Sequence, residues 1–280
     1  MRPSGIIYTG DVTPGNAFRV IAIDVATQRF DTLAIPFGTV PFPTVSPDGE
    51  WLAFTELGKV IIYKLSTGLA RDITNSYADW RVTWHPDGQR VLARRTPLGF
   101  ARPHFVLVNI DRSGETALYS IPPDRFIGGT SAWSPDGRYL YFAENYNLES
   151  ALLRLDITVP GAAPDTVGPA NTQVVAVSPA TGDIAVAYYE RAGLNRDTML
   201  VAVMNPITQA VAKRGTYRVV VNLAWSPDGR FLSVVYGDRV SPHVSLEILD
   251  AKTGTVVQQM PVFTAGSDVP LTWVAGPPSK

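Results

Sequence analysis

The chain of 280 residues has no cysteine, only three histidines and a formal net charge of −1. The absence of cysteine excludes disulfides, a thiol nucleophile, haem attachment and thiolate zinc sites, and it fits either side of a membrane. The 24 Lys and Arg residues balance 25 Asp and Glu residues, and five of the cations are lysines. Without a net positive field we expect no nucleic-acid partner.

Long apolar runs are also missing. No stretch approaches the roughly 18 apolar residues of a membrane-spanning helix, and Met1 to Tyr8 lack the apolar core of a signal peptide. We therefore expect no direct membrane insertion. The chain is instead rich in turn residues, with 23 Gly and 23 Pro, and its 45% of hydrophobic residues is enough to build a core between many turns.

A short phrase containing Ser-Pro-Asp-Gly or a close variant recurs five times. Its copies are Val45–Gly49, Trp84–Gly88, Trp133–Gly137, Val177–Gly182 and Trp225–Gly229. The residues before the proline stand at 46, 85, 134, 178 and 226, so the steps are 39, 49, 44 and 48 residues. This period is typical of a four-stranded propeller blade of roughly 40–50 residues.

Each copy predicts a tight hairpin. Proline presets φ, aspartate bonds to its own backbone and glycine supplies a positive φ. Short apolar stretches such as Trp51–Phe54 and Phe231–Val235 follow, which is typical of strands covered on both faces. A second recurring phrase, as in Leu249-Asp250-Ala251-Lys252-Thr253-Gly254, predicts the hairpin into an outer strand, and six copies of it occur.

The segments at the two ends of the sequence complete the count of six blades. Residues 1–35 supply three strands, Ile6–Tyr8, Arg19–Asp24 and Phe30–Ile35, but no Ser-Pro-Asp-Gly turn, and Leu271–Val274 is one strand without a blade. We therefore predict a single all-β domain over residues 1–280. It is a six-bladed β-propeller of four-stranded antiparallel blades, with the ring closed by the C-terminal strand in the N-terminal blade, which removes open edges.

The five spaced copies of the phrase, each followed by an aromatic-aliphatic strand, resemble those of the TolB-like β-propeller family, also seen in the propeller of prolyl oligopeptidases. The resemblance covers nearly the whole chain and implies protein or peptide binding on a propeller face. It also implies a periplasmic or surface location if a leader or anchor has been removed, and a cytoplasmic one otherwise. From these residues we expect neither the α/β domain of TolB translocation proteins nor the hydrolase domain of the peptidases, so the resemblance does not imply the full function of either.

Motifs of catalysis and cofactor binding are not found in the sequence. It contains no G-x-S-x-G elbow, P-loop, dinucleotide fingerprint, His-Glu-x-x-His or calcium-hand pattern. The repeat predicts His85 in the turn at one end of its blade and His104 and His243 in loops between the second and third strands at the other end, so we expect neither a metal site nor a cofactor. The tryptophans before the turns recur with the blade period, and we interpret them as core residues.

The candidate binding site is the end of the blades opposite the Ser-Pro-Asp-Gly turns. Its loops combine arginine and aromatic residues with scattered acids, and Arg, Tyr and Trp are common anchors of protein interfaces. The candidate residues are Arg94, Arg95, Arg102, His104, Tyr77, Trp80, Arg125, Glu144, Glu190 and Asp238. A set of solvated strand ends is the alternative interpretation of the same residues.

The sequence thus favours a non-catalytic binding or scaffold propeller whose partner is a protein or a peptide. Two alternatives stay open. One is a propeller enzyme of the lyase or lactonase type, which would place metal ligands or a catalytic pair around the central channel. The other is a sensor module that binds a small molecule in that channel.

Overall fold

The structure is a computed structural model that describes residues 2–12, 18–37, 40, 42–74, 79–96, 102–146, 149–190, 198–238, 243–264 and 271–276. Within these ranges the chain forms 24 strands and no helix. Accordingly, no helix in the described part of the chain is long and apolar enough to cross a membrane.

The strands are short and follow one another at close intervals. In chain order they are β1 (Ile6–Val12), β2 (Phe18–Asp24), β3 (Arg29–Thr32), β4 (Thr44–Val45), β5 (Trp51–Glu56), β6 (Lys59–Lys64), β7 (Ala70–Asp72), β8 (Asp79–Trp84), β9 (Arg90–Arg95), β10 (His104–Asn109), β11 (Glu115–Ser120), β12 (Arg125–Trp133), β13 (Tyr139–Tyr146), β14 (Glu149–Asp156), β15 (Asp165–Thr166), β16 (Thr172–Val177), β17 (Ile184–Tyr189), β18 (Met199–Met204), β19 (Val211–Tyr217), β20 (Val219–Trp225), β21 (Phe231–Gly237), β22 (His243–Asp250), β23 (Val256–Thr264) and β24 (Leu271–Val274).

These strands form six four-stranded antiparallel sheets. Blade 1 has the order β24-β1-β2-β3, and blades 2 to 6 take their strands consecutively: β4 to β7, β8 to β11, β12 to β15, β16 to β19 and β20 to β23. Each Ser-Pro-Asp-Gly turn joins the first strand of a blade to the second. The fold is a six-bladed β-propeller, and the predicted fold class is confirmed.

The C-terminal strand completes the first blade, as predicted. β24 pairs antiparallel with β1, from Ile6 opposite Val274 to Thr9 opposite Leu271. Trp273 is buried and donates from Nε1 to the carbonyl of Ser4 at 2.9 Å. Residues from the two extremities of the sequence therefore share one sheet.

The chain divides into two compact units, which are described separately below. One comprises Arg2–Pro123 and Val269–Lys280 and contains blades 1 to 3. The other comprises Asp124–Asp268 and contains blades 4 to 6. That the chain is a single domain stays a prediction.

The recurring turns owe their geometry to serine and aspartate. In blade 6 the buried Ser226 donates from Oγ to Asp228 Oδ1 at 2.6 Å, and its Oγ accepts the backbone N–H of Phe231 at 2.9 Å. Gly229 has a φ of +69°, which glycine adopts without steric cost. The repeated Ser-Pro-Asp-Gly sequence therefore identifies a turn in which buried polar atoms have hydrogen-bond partners within a few residues.

The tryptophans before the turns join neighbouring blades within each unit. Trp84 of blade 3 donates from Nε1 to the carbonyl of Thr44 in blade 2 at 3.1 Å. Trp225 of blade 6 donates in the same way to Ala176 of blade 5 at 3.2 Å. Both indoles are buried in apolar clusters that mix residues of the two blades. Their predicted role as core residues is confirmed.

The opposite end of the innermost strands is irregular. In blades 3 to 6 the pairing of the first strand with the second shifts register near the start of the first strand, between Trp80 and Val82, Ile127 and Ser131, Thr172 and Val174, and Val220 and Asn222. Such bulges re-aim side chains and are common beside functional sites.

Candidate functional site

We call the end of each blade that carries the Ser-Pro-Asp-Gly turn its turn end, and the opposite end its loop end. At the loop end the first strand begins and the second strand runs into the third. Nine of the ten candidate residues lie within the described part of the chain, and all nine are at loop ends. Tyr77 lies outside the described residues.

Arg95 is held by two carboxylates within blade 3. Its guanidinium donates to Asp79 at 2.6 and 3.1 Å and to Glu115 at 2.6 and 3.0 Å. The Asp79 side chain is fully buried, whereas that of Glu115 is 46% exposed. The hydrogen bonds that Arg95 donates to Glu115 and then to Asp79 raise the pKa of Arg95, and the same contact lowers the pKa of Glu115. Arg95 therefore ties together β8, β9 and β11.

Arg94 also makes its contacts inside the blade. It is buried, and its guanidinium lies over the Trp80 ring at 3.6 Å from the centroid. The indole Nε1 of Trp80 donates to Thr96 Oγ1 at 3.0 Å, yet 39% of Trp80 remains exposed. The two arginines thus hold Trp80 and its strand in place, and the exposed part of the indole forms the surface.

Leu57 lies at the loop end of blade 2, one residue before a hydrogen bond to blade 3. It forms a two-residue hairpin turn with Gly58, with φ values of +48° and +76°, and it is 86% exposed. The carbonyl of Gly58 accepts the backbone N–H of Asp79 at 2.8 Å. Leu57 and Trp80 therefore flank one hydrogen bond between blades 2 and 3, and we call them the Leu57–Trp80 patch.

The sequence analysis did not identify Leu57. The sequence contained a signal for Leu57, because a two-residue turn with two positive φ values favours Asn-Gly or Asp-Gly, and leucine before the glycine is unusual. An apolar residue that the turn does not need indicates a binding surface more directly than a charged residue does.

Arg102 and His104 lie next to this region along the chain. Arg102 is exposed, and its carbonyl lies 3.2 Å from Nδ1 of His104. His104 is the first residue of β10, opposite Arg95, rather than part of the preceding loop as we predicted. His243 likewise begins β22.

In the unit of blades 4 to 6, two of the candidates form an ion pair. Arg125 Nη1 lies 2.6 Å from Glu144 Oε2, with side-chain exposures of 44% and 2%. Glu190 and Asp238 are exposed just after β17 and β21, in blades 5 and 6.

A polar cluster that the sequence analysis missed surrounds Glu247 on β22. Its carboxylate accepts hydrogen bonds from Tyr217 at 3.1 Å, Tyr236 at 2.9 Å and Gln259 at 3.0 Å. Burial, and then the neighbouring carboxylate, raises the pKa of Tyr217. Because its donors and acceptors are matched, this cluster is a structural network.

Within the described ranges, no group of three or more His, Asp or Glu residues is arranged to hold a metal ion. The arrangement at the loop ends offers hydrogen bonds, ion pairs and an exposed apolar patch.

Comparisons with known proteins support the fold. No protein-family model matches the chain, and no curated protein matches it. Among solved structures, TolB from Acinetobacter baumannii is 18% identical with a TM-score of 0.73, covering 97% of this chain and 67% of that one. The resemblance to TolB-like propellers is thus confirmed for the fold.

Two other similar structures have different roles. An oligogalacturonate lyase in complex with manganese is 16% identical with a TM-score of 0.56, covering 96% of this chain and 76% of that one. A structure of a nidogen/laminin complex is 10% identical with a TM-score of 0.65, covering 95% and 97%. The same fold therefore occurs in an enzyme and in a protein assembly, and it does not by itself select a function.

Proposed function

We propose that this chain is a non-catalytic binding propeller that recognises a protein or peptide partner through the Leu57–Trp80 patch. The observation that carries the proposal is the exposure of both apolar side chains, 86% and 39%, on either side of the Gly58–Asp79 hydrogen bond. Tryptophan is among the residue types that carry most of the binding energy at protein interfaces.

The patch is built on a rigid support. Arg95 joins three strands of blade 3, and Arg94 holds the Trp80 ring from one side while Thr96 accepts its N–H. Because these contacts fix the indole before a partner arrives, less conformational entropy is lost on binding. The arginines of the candidate site thus contribute by positioning Trp80, and Arg102 supplies an exposed charge nearby in the chain.

The occurrence of this fold in a nidogen/laminin complex supports a role in protein–protein interaction in general. The identity of the partner stays open, as do the propeller-enzyme and channel-sensor alternatives.

The test is affinity capture from an extract of the source organism with immobilised protein. We expect Trp80→Ala and Leu57→Ser to reduce the amount of a specifically captured partner at least about tenfold, as for an interface anchor. The matched control is Leu69→Ser, because Leu69 is also exposed, at 57%, but lies in the turn between β6 and β7 at the turn end. Equal capture by Trp80→Ala and by the wild-type protein, at unchanged Tm, would place the binding surface elsewhere.

A further inference from the structure

The loop ends of blades 4 and 5 contain a second polar cluster, which we call the carboxamide cluster: Asn145, Ser150, Asn171 and Gln173. Asn145 and Ser150 are directly opposite each other in β13 and β14. Gln173 Nε2 donates to Ser150 Oγ at 2.7 Å, and the backbone N–H of Asn171 donates to the carbonyl of Ser150 at 2.6 Å. Ser150 therefore connects the other three residues.

Glycine allows this cluster to lie close to the innermost strand of blade 4. A side chain at position 128 would collide with Asn145 Nδ2, and one at position 129 would collide with the carbonyl of Gln173. Both glycines lie in the bulge of β12. The carboxamide of Asn145 thus occupies space that a larger residue at position 128 would fill.

Two carboxamides of the cluster have no side-chain hydrogen bond that accounts for them among the described residues. Asn171 is 6% exposed, and its Oδ1 is buried without a hydrogen-bond partner in the described part of the chain. Asn145 is 7% exposed, and no hydrogen bond joins its side chain to another described residue. A buried polar atom without a partner costs about 1–3 kcal/mol, and most buried polar atoms in native proteins avoid this cost.

The fold does not require the side chain of Asn171. Its main chain is fixed by the bond to Ser150 and by the N–H of Tyr189, which donates to the Asn171 carbonyl at 3.2 Å. The φ of Asn171 is +61°, a conformation that glycine adopts at lower cost than asparagine. Glycine could therefore replace asparagine here without backbone strain, so the Asn171→Gly variant tests what the side chain does.

The chemistry of the cluster matches a neutral ligand that offers both N–H and C=O groups. A carboxamide carries an acceptor and a donor side by side, and an amide of the peptide main chain presents the same pair in reverse. The neighbouring charges, Arg125 and Glu144, pair with each other at 2.6 Å. Phe126 is 57% exposed beside Arg125 and is available for an apolar side chain of the ligand.

We propose that the carboxamide cluster is a second recognition site, in which Asn145 and Asn171 bind the main-chain amides of an uncharged peptide segment. The terminal torsion of asparagine is broad, so the Asn171 amide can turn toward an incoming N–H within its rotamer. This site belongs to the unit of blades 4 to 6 and does not depend on the Leu57–Trp80 patch.

The experiment selects random linear peptides, displayed on phage, on the immobilised wild-type protein. Enriched peptides are synthesised and titrated against Asn171→Gly, Asn145→Ala and the wild-type protein. We expect at least about tenfold weaker binding to each variant, one lost hydrogen bond to a buried partner being of this size. Replacing a single peptide amide by an ester should weaken binding to a similar degree, because an ester lacks the N–H.

The matched control is Asn205→Ala in the same unit. Asn205 Oδ1 accepts the N–H groups of Ile207 and Thr208, both at 2.9 Å, in the turn between β18 and β19. We expect this variant to lose stability and to keep peptide binding, whereas Asn171→Gly should keep its Tm and lose binding. A fall in Tm for Asn171→Gly as large as that for Asn205→Ala would show a structural role and overturn the proposal.

Four further outcomes would also overturn it. They are the absence of enriched peptides, peptides that bind Asn171→Gly as well as the wild type, indifference to every ester substitution, and binding of saccharides from a glycan panel that Asn171→Gly abolishes. Peptides that respond to Trp80→Ala and not to Asn171→Gly would report the Leu57–Trp80 patch and count against the second site alone.

Discussion

At the turn end of blade 6, Ser226 Oγ both donates and accepts, and its partners Asp228 and Phe231 lie within five residues. At the loop end between blades 4 and 5, Asn171 is also buried, but its Oδ1 has no hydrogen-bond partner among the described residues. In this pair of residues the turn end meets its hydrogen-bonding needs locally, and the loop end leaves one of them unmet. The difference supports our proposal that the loop ends serve binding while the turn ends maintain the fold.

The two ends differ in the same way in their apolar residues. Trp84 and Trp225 at turn ends, and Trp273 at the equivalent position of blade 1, are 5–6% exposed, and each donates its indole N–H to a main-chain carbonyl. Trp80 at a loop end is 39% exposed. The same residue type therefore serves packing at one end and presents a surface at the other.

Removal of the closing strand should have the largest effect. Without residues 269–280, β1 loses its pairing with β24, and blade 1 exposes an edge together with the pocket of Trp273. We expect aggregation on size-exclusion chromatography, or a Tm lower by at least about 10 °C. A monomer with the Tm of the full chain would show that blade 1 is stable without its innermost strand.

Paired tryptophan substitutions compare the two ends directly. Trp225→Ala should cost about 3–5 kcal/mol of unfolding free energy, because it opens a cavity between blades 5 and 6. Trp80→Ala should cost less than about 1 kcal/mol, since its ring is partly exposed. Denaturant titration measures both. Similar losses at the two positions would contradict the distinction between the ends.

The fold was predictable because its determinants are local and repeated. Ser226, Asp228 and Gly229 act within one turn, so their spacing identifies the turn wherever it recurs. The closing strand was predictable from the same repeat, since Leu271–Val274 lacked a blade and the first three strands lacked a partner.

The candidate site was predictable only as a region. The sequence identified Arg94 and Arg95 by their charge. Charge does not show that the Arg95 guanidinium is already paired with Asp79 and Glu115, or that the Arg94 guanidinium lies against the Trp80 ring. The lack of a described hydrogen-bond partner for Asn171 Oδ1 depends on which residues of neighbouring strands meet in space. Such contacts between distant residues leave no periodic signal.

Polar substitutions at the two ends should change the unfolding free energy by smaller amounts and in opposite directions. Ser226→Ala should cost about 1 kcal/mol or slightly more, because the Phe231 N–H loses its acceptor. Asn171→Gly should leave the unfolding free energy unchanged or raise it slightly, since it removes an unpaired oxygen and relieves a positive φ. Chemical denaturation of both variants checks this. Equal destabilisation would mean that Asn171 has a partner in solution.

The smallest effect is a pH dependence at the loop end of blade 3. The hydrogen bond from Arg95 lowers the pKa of Glu115 below its ordinary value of 4.5. Folding therefore favours the charged carboxylate, so this contribution to stability is present above pH 4.5 and is lost as the pH falls through the lower folded-state pKa. Glu115→Gln should flatten that part of the profile by less than about 1 kcal/mol, because Glu115 is half exposed. The measurement is the unfolding free energy of both proteins across the acidic pH range. If the two proteins show the same dependence on pH, the Arg95–Glu115 contact does not persist in solution.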